Sequence, residues 1–237
     1  MTPTELQAAV DAFKWYHEID LGNGVKTKPA VHYTKSRDLI ESGMSGMDLK
    51  SKFALDIGTR DGKYAFQAEK MGAHVLAIDN DISKAALWLK GHLGSSVDFR
   101  HANVSNMTPV LADVIFLFGV LYHLRYPMSV LRILSRCLKK GGKLHLETGM
   151  MDAHHDLPLL YCPVRINPYE QTSCSFFNLS GLTETLWSFG VTVTSHKTHP
   201  AEDGHTIRRF WIEAEKTHEM PDDLQRYWEG KHTSHSV

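Results

Sequence analysis

"FALDIGTRDG", residues 53–62, decides the fold. An apolar run ends at an acid, Asp56, and enters a turn bracketed by Gly58 and Gly62, and the next stretch, "KYAFQAEKMG", has helical apolar spacing. Strand, tight turn and helix in that order open an α/β crossover unit. The alternation continues: "HVLAID" reads as a strand, "ISKAALWLKGHLG" as a helix, "VDFRHA" as a short strand, "DVIFLFGV" as a strand, "PMSVLRILSRCLKKGG" as a helix and "KLHLET" as a strand. Short β-rich runs separated by helices imply parallel strands joined by right-handed crossovers, with helices on both faces. The spacing therefore predicts a doubly wound, mostly parallel sheet. Two further strands, "VTVTSHKT" and "IRRFWIEAE", flank a Gly-containing turn and should pair antiparallel at the end of the sheet.

Outward from the core, residues 4–18 have helical spacing through Leu6, Val10, Phe13 and the group Trp15 to His17, and a second helix is expected from Ser36 to about Met44. Residues 149–178 follow no period, and a long irregular stretch inside a compact domain is usually a lid or binding loop. After it "SGLTETLWSFG" reads as a helix with Ser180 as N-cap and Gly190 as C-cap. The expected division is an N-terminal helical cap over 1–50, a core over 51–216 carrying the insertion at 149–178, and a tail over 217–237.

At 237 residues and 42% hydrophobic, the chain can bury one large α/β core. A net charge of -1 gives no global electrostatic reason to grip nucleic-acid phosphates or anionic membranes. The first 20 residues contain no signal-like apolar core and no long apolar run follows, so a cytoplasmic location is expected. Cys137, Cys162 and Cys174 are far apart and lack CxxC spacing, and the 15 histidines form no HxH or HExxH pairing, so neither a disulfide framework nor a metal site is expected.

In an open parallel sheet, ligands sit beyond the carboxyl ends of the strands where strand order reverses. Asp56 and Asp61 place negative charge in the first turn, which would repel a pyrophosphate and suits an ammonium or another positive centre. Asp79 ends the second strand, where a carboxylate can accept two hydrogen bonds from a ribose diol. That feature is shared by sheets that bind NAD and sheets that bind S-adenosylmethionine; only the first turn separates the two.

Over roughly residues 53–215 the chain resembles the class I S-adenosylmethionine-dependent methyltransferases, with "LDIGTRDG", "AIDND", "RHANVSN" and "DVIFLFGVLYHLRYP" followed by "LKKGGKLHLET" standing where that family has its motifs. "WYHEIDLGNGV", "GTRDG" and "GVLYHLRYP" are similar to the branch that contains the wobble-uridine tRNA carboxymethyltransferase and small-molecule-methylating relatives. The resemblance implies a Rossmann-like methyltransferase fold with a seven-stranded, mostly parallel sheet whose last strand is antiparallel, and S-adenosyl-L-methionine as cofactor. It implies that Asp56 lies near the methionine amino group, that Gly58 and Gly62 let the chain pass close to the cofactor, and that Asp79, with Asn80 after it, holds the ribose. It further implies that Asn103 and Val104 read the adenine, that Gly119 approaches the methionine moiety, and that Tyr122 and His123 face the methyl acceptor. The family usually has glycine in mid-turn, where this chain has Arg60.

His123 is the first candidate for a general base because an unperturbed imidazole titrates near neutrality, and Tyr122 is the second. Tyr16, Arg165 and Tyr169 are the candidates for acceptor recognition, a guanidinium suiting a carboxylate or phosphate and a phenol offering stacking. A small-molecule acceptor is the expected partner, by O- or N-methylation. The alternatives are a tRNA acceptor with a carboxylated cofactor, for whose extra carboxylate Lys35 or Arg37 could supply a cation, and a degenerate methyltransferase fold kept as a binding scaffold. A nicotinamide-dependent oxidoreductase would call for GxGxxG, which the turn lacks.

Overall fold

A computed structural model describes residues 1–29, 34–163, 169–199, 206–220 and 230. Arg165, a candidate acceptor contact, lies outside the described residues. The seven-stranded sheet is built from β1 (Phe53–Ile57), β2 (His74–Asp79), β3 (Asp98–His101), β4 (Ala112–Phe118), β5 (Leu138–Met151), β6 (Val191–Thr198) and β7 (Ile207–Lys216). Their spatial order is β6-β7-β5-β4-β1-β2-β3. β1 pairs in parallel with β2 on one side and β4 on the other, so strand order reverses at β1, while β7 runs antiparallel to both β5 and β6. The mixed sheet with its antiparallel last strand is the expected architecture.

Both faces of the central strands are buried. On one side Leu55, Ile57, Ile115 and Leu117 of the central strands pack with Val130, Leu131 and Leu134 of α5 (Pro127–Cys137) and with Leu182 and Leu186 of α6 (Leu179–Ser188). On the other, Ala54, Phe116, Phe118 and Trp211 meet α2 (Thr34–Met44), α3 (Lys63–Lys70), α4 (Lys84–Leu93) and the N-terminal segment. Because parallel strands are buried on both faces, they read in the sequence as continuous apolar runs.

Three local expectations need correction. The helix read over "PMSVLRILSRCLKKGG" ends at Cys137, and "LKKGG" already belongs to β5. The first helix, α1 (Pro3–Asp11), starts at a capping box between Thr2 and Glu5 and stops before Trp15–His17, which lie in a strap instead. The strap is braced by the short antiparallel pair Asp20–Gly22 with Val25–Lys26 and by a bridge from Trp15 to Pro29. The N-cap of α6 is Asn178, not Ser180: its Oδ1 accepts the Gly181 N–H at 2.8 Å while its amide donates to the Leu157 and His154 carbonyls. One residue thus caps the helix and fastens the insertion, which serine is too short to do.

Candidate active site

Beyond the carboxyl ends of β1, β2 and β4 lies a cavity of about 690 Å³. The first turn forms its floor. Gly58 has φ +80°, and a Cβ there would stand 2.3 Å from Val120 Cγ2, so the backbone passes where only glycine fits. Gly62, φ +83°, plays a different part: a Cβ would meet Phe66 at 2.7 Å and Phe99 at 2.8 Å, so this glycine serves packing behind the turn and is not part of the cavity lining. Arg60 holds φ +55°, the left-handed conformation a glycine would take without cost. Its guanidinium lies 5.5 Å from the Tyr16 ring and its Nη1 is 3.3 Å from Asp81 Oδ2, contacts that offset the strain.

Asp56 and Asp79 line this one cavity. Asp79 Oδ2 accepts the Arg60 N–H and Oδ1 the Asp81 N–H, both at 2.9 Å, which fixes the carboxylate at the strand end. Asp56 is 3% exposed and its Oδ2 has no hydrogen-bond partner. Burial raises its pKa to about 6, assisted by the Asp79 charge and opposed by the Thr59 hydroxyl and His17. A buried carboxylate with one oxygen unpartnered on a cavity lining suits a cation. Asp61 behaves otherwise: its Oδ2 accepts the Tyr16 and His17 backbone N–H groups at 2.9 and 2.8 Å, and Oδ1 pairs with His17 Nδ1. Burial alone would raise it, but these bonds hold Asp61 below the usual carboxylate range. It faces the strap, not the ligand space.

Further round, Asn80, Asn103, Val104 and Gly119 also line the cavity. Asn103 Oδ1 accepts the Ser105 N–H at 2.8 Å, an Asx turn that starts the 3₁₀ turn Val104–Asn106. At the opposite end stand Tyr122 and His123, with Tyr16 on the strap side. Burial pushes the Tyr122 phenol up, so it stays protonated at neutral pH and acts as wall and donor rather than base. His123 Nδ1 lies 3.2 Å from the Thr172 carbonyl and Nε2 3.3 Å from Glu170 Oε1, both partners coming from the insertion. Tyr169 is outside the lining but beside it, its ring edge-on to Tyr122 at 5.8 Å.

Sequence reasoning missed the charged pair at this end. Arg209 on β7 donates from Nε and Nη2 to Glu147 on β5 at 2.6 and 2.5 Å, with Glu147 wholly buried. Burial alone would lower Arg209, but Glu147 holds its guanidinium charged. The guanidinium also lies 4.6 Å over the Tyr122 ring and donates to the Tyr169 hydroxyl at 3.4 Å. Glu170 is a further lining residue with no periodic signal, while Arg37, a candidate cation from the sequence, also lines the cavity. A Glu set among leucines in "KLHLET" and an Arg against "FWI" were the available hints.

Among the described residues no group of His, Cys, Asp or Glu could hold a metal ion, and no helix is long and apolar enough to cross a membrane. Residues 35–196 match the family model for the methyltransferase domain. The tRNA U34 carboxymethyltransferase of Helicobacter hepaticus is 30% identical over 130 residues, 50% of this chain and 41% of that protein. The chain covers less than half the length of the curated relatives it matches. Among solved structures, the 1,6-didemethyltoxoflavin-N1-methyltransferase of Burkholderia thailandensis has a TM-score of 0.58 at 19% identity, covering 77% of this chain and 76% of that one. The N-terminal domain of EvdMO1, solved with S-adenosylhomocysteine (SAH) and D-fucose, has a TM-score of 0.65 at 15% identity, covering 91% and 97%. These two likenesses concern the fold; the match over residues 35–196 carries the family, and the chain belongs to the methyltransferase-domain family.

Proposed function

We propose that the chain transfers the methyl group of S-adenosylmethionine to a small-molecule acceptor held at the Tyr122 end of the cavity. The observation that carries the cofactor reading is the orphaned Asp56 carboxylate on the same cavity as the strand-end Asp79. Asp56 suits an ammonium group, and Asp79, pinned by two backbone amides, offers its remaining lone pairs to a ribose diol. Gly58, packed against Val120, lines the cavity and is assigned to the amino-acid portion, and Asn103 and Val104 on the same lining are the candidate adenine contacts. When bound, the cofactor supplies an activated methyl group. The residues around it orient the acceptor for in-line attack and exclude water.

At the acceptor end, Tyr122 and Arg209 form a wall with Tyr169 packed beside it, and His123, steadied by Thr172 and Glu170, is the candidate to receive a proton when the acceptor is a hydroxyl or protonated amine. The net charge of -1 favours a small acceptor over a polyanion. The second reading, a tRNA acceptor with a carboxylated cofactor, draws support from the named relatives and from Arg37 on the cavity wall. Scoring SAH release against a panel of small hydroxyl and amine acceptors, beside unmodified tRNA, tests the choice. Turnover on tRNA alone would reject the small-molecule acceptor.

A further inference from the structure

Asp61 sits in the turn that forms the cavity floor, yet it is absent from the cavity lining and its carboxylate is bonded to the strap. It takes the backbone N–H groups of Tyr16 and His17 on one oxygen and the His17 ring on the other, across 44 and 45 residues of sequence. Asp61 is 1% exposed, so these bonds are shielded from water. Tyr16 and His17 are themselves cavity-lining residues.

The strap is otherwise braced within itself. Thr27 Oγ1 accepts the Ile19 N–H at 2.7 Å and donates to the His17 carbonyl at 2.6 Å, and Trp15 Nε1 donates to the Val10 carbonyl at 2.8 Å. Toward the core it packs through rings, Trp15 to Trp88 at 6.4 Å and His17 to Tyr64 at 5.2 Å, contacts that carry no hydrogen bond to the turn. Asp61 supplies the hydrogen bonds from the turn to the strap. Next to it, Arg60 keeps a left-handed backbone while its guanidinium lies over the Tyr16 ring. Two consecutive side chains of the turn thus grip two consecutive residues of the strap.

We propose that Asp61 is a positioning residue for the cofactor site: it latches the strap to the first turn, so that Tyr16 and His17 become a wall of the cavity and the turn's ligand-ready shape and strap closure are one event. The inference rests on the cofactor reading above. A merely anionic turn would leave Asp61 facing the ligand; here its three hydrogen bonds go to the covering segment.

The test is a double-mutant cycle read by calorimetry with SAH. Asp61→Asn should weaken SAH about 10-fold or more and His17→Ala should also weaken it, whereas the double variant should lie within about threefold of Asp61→Asn, because the second change finds the latch already open. Loss equal to the product of the two single effects would overturn the latch, as would unchanged affinity in Asp61→Asn. Should Asp61→Asn fail to fold, amide hydrogen exchange on the unaltered protein decides: SAH should slow exchange at Tyr16 and His17, and equal rates with and without SAH would overturn the inference. An unaltered protein that binds no SAH would instead sink the cofactor reading.

Discussion

Glu147 and Arg209 form a bidentate ion pair at the inner wall of the cavity although their strands meet only through β5–β7 register. Glu147 stands opposite Trp211 and Arg209 opposite Gly149, so the two side chains are diagonal neighbours on one face.

Breaking that pair should be costly. Removing one partner leaves an uncompensated buried charge, so Arg209→Met should lower unfolding free energy by about 3–5 kcal/mol. Glu147→Leu combined with Arg209→Met should recover part of that loss. Urea denaturation of the three variants measures it, and a double variant less stable than Arg209→Met would contradict the account.

Asp56 should make cofactor-free stability fall with rising pH. Its folded value, about 6, lies above its ordinary 3.8, so the contribution is complete below 3.8 and lost as pH rises through about 6. Those roughly two units correspond to about 3 kcal/mol. Asp56→Asn should remove this component of the pH dependence of melting. SAH affinity should run the opposite way, weakening as pH falls below about 6, where a protonated Asp56 no longer attracts an ammonium group; a flat profile from pH 5 to 7 would argue against that contact.

Gly58→Ala combines an unfavourable φ of +80° with a 2.3 Å approach to Val120, so it should destabilise the chain by more than about 1 kcal/mol and displace the turn. Thermal unfolding and SAH titration together report both effects.

His123→Ala should leave SAH affinity within about threefold while lowering methyl-transfer turnover by about 100-fold, the lower end of general-base contributions. Single-turnover measurement of SAH formation checks it. Unchanged turnover would make His123 a structural anchor for Thr172 and Glu170.

Much of the fold is legible because central strands such as "FALDI" and "DVIFLFGV" are buried on both faces and read as uninterrupted apolar runs. What escaped reading depends on partners far away in sequence. Trp15 to His17 continue a helical apolar spacing, yet Asp61 draws the Tyr16 and His17 amides out of any helix. Asn178 outcompetes Ser180 as cap because its amide also reaches the insertion. Glu147 and Arg209 are visible as isolated charges in apolar strands, but their meeting needs the antiparallel register of β5 and β7. Asp56 and Asp79 were readable because strand ends follow directly from the alternation.

The central claim is that Asp56 and Asp79 together hold an adenosyl amino acid, and calorimetric titration with SAH at pH 7.5 tests it most directly. The account predicts saturable binding at roughly micromolar concentrations, abolished by Asp79→Ala and strongly weakened by Asp56→Asn. Absence of heat with the unaltered protein, or undiminished affinity in both variants, would contradict it.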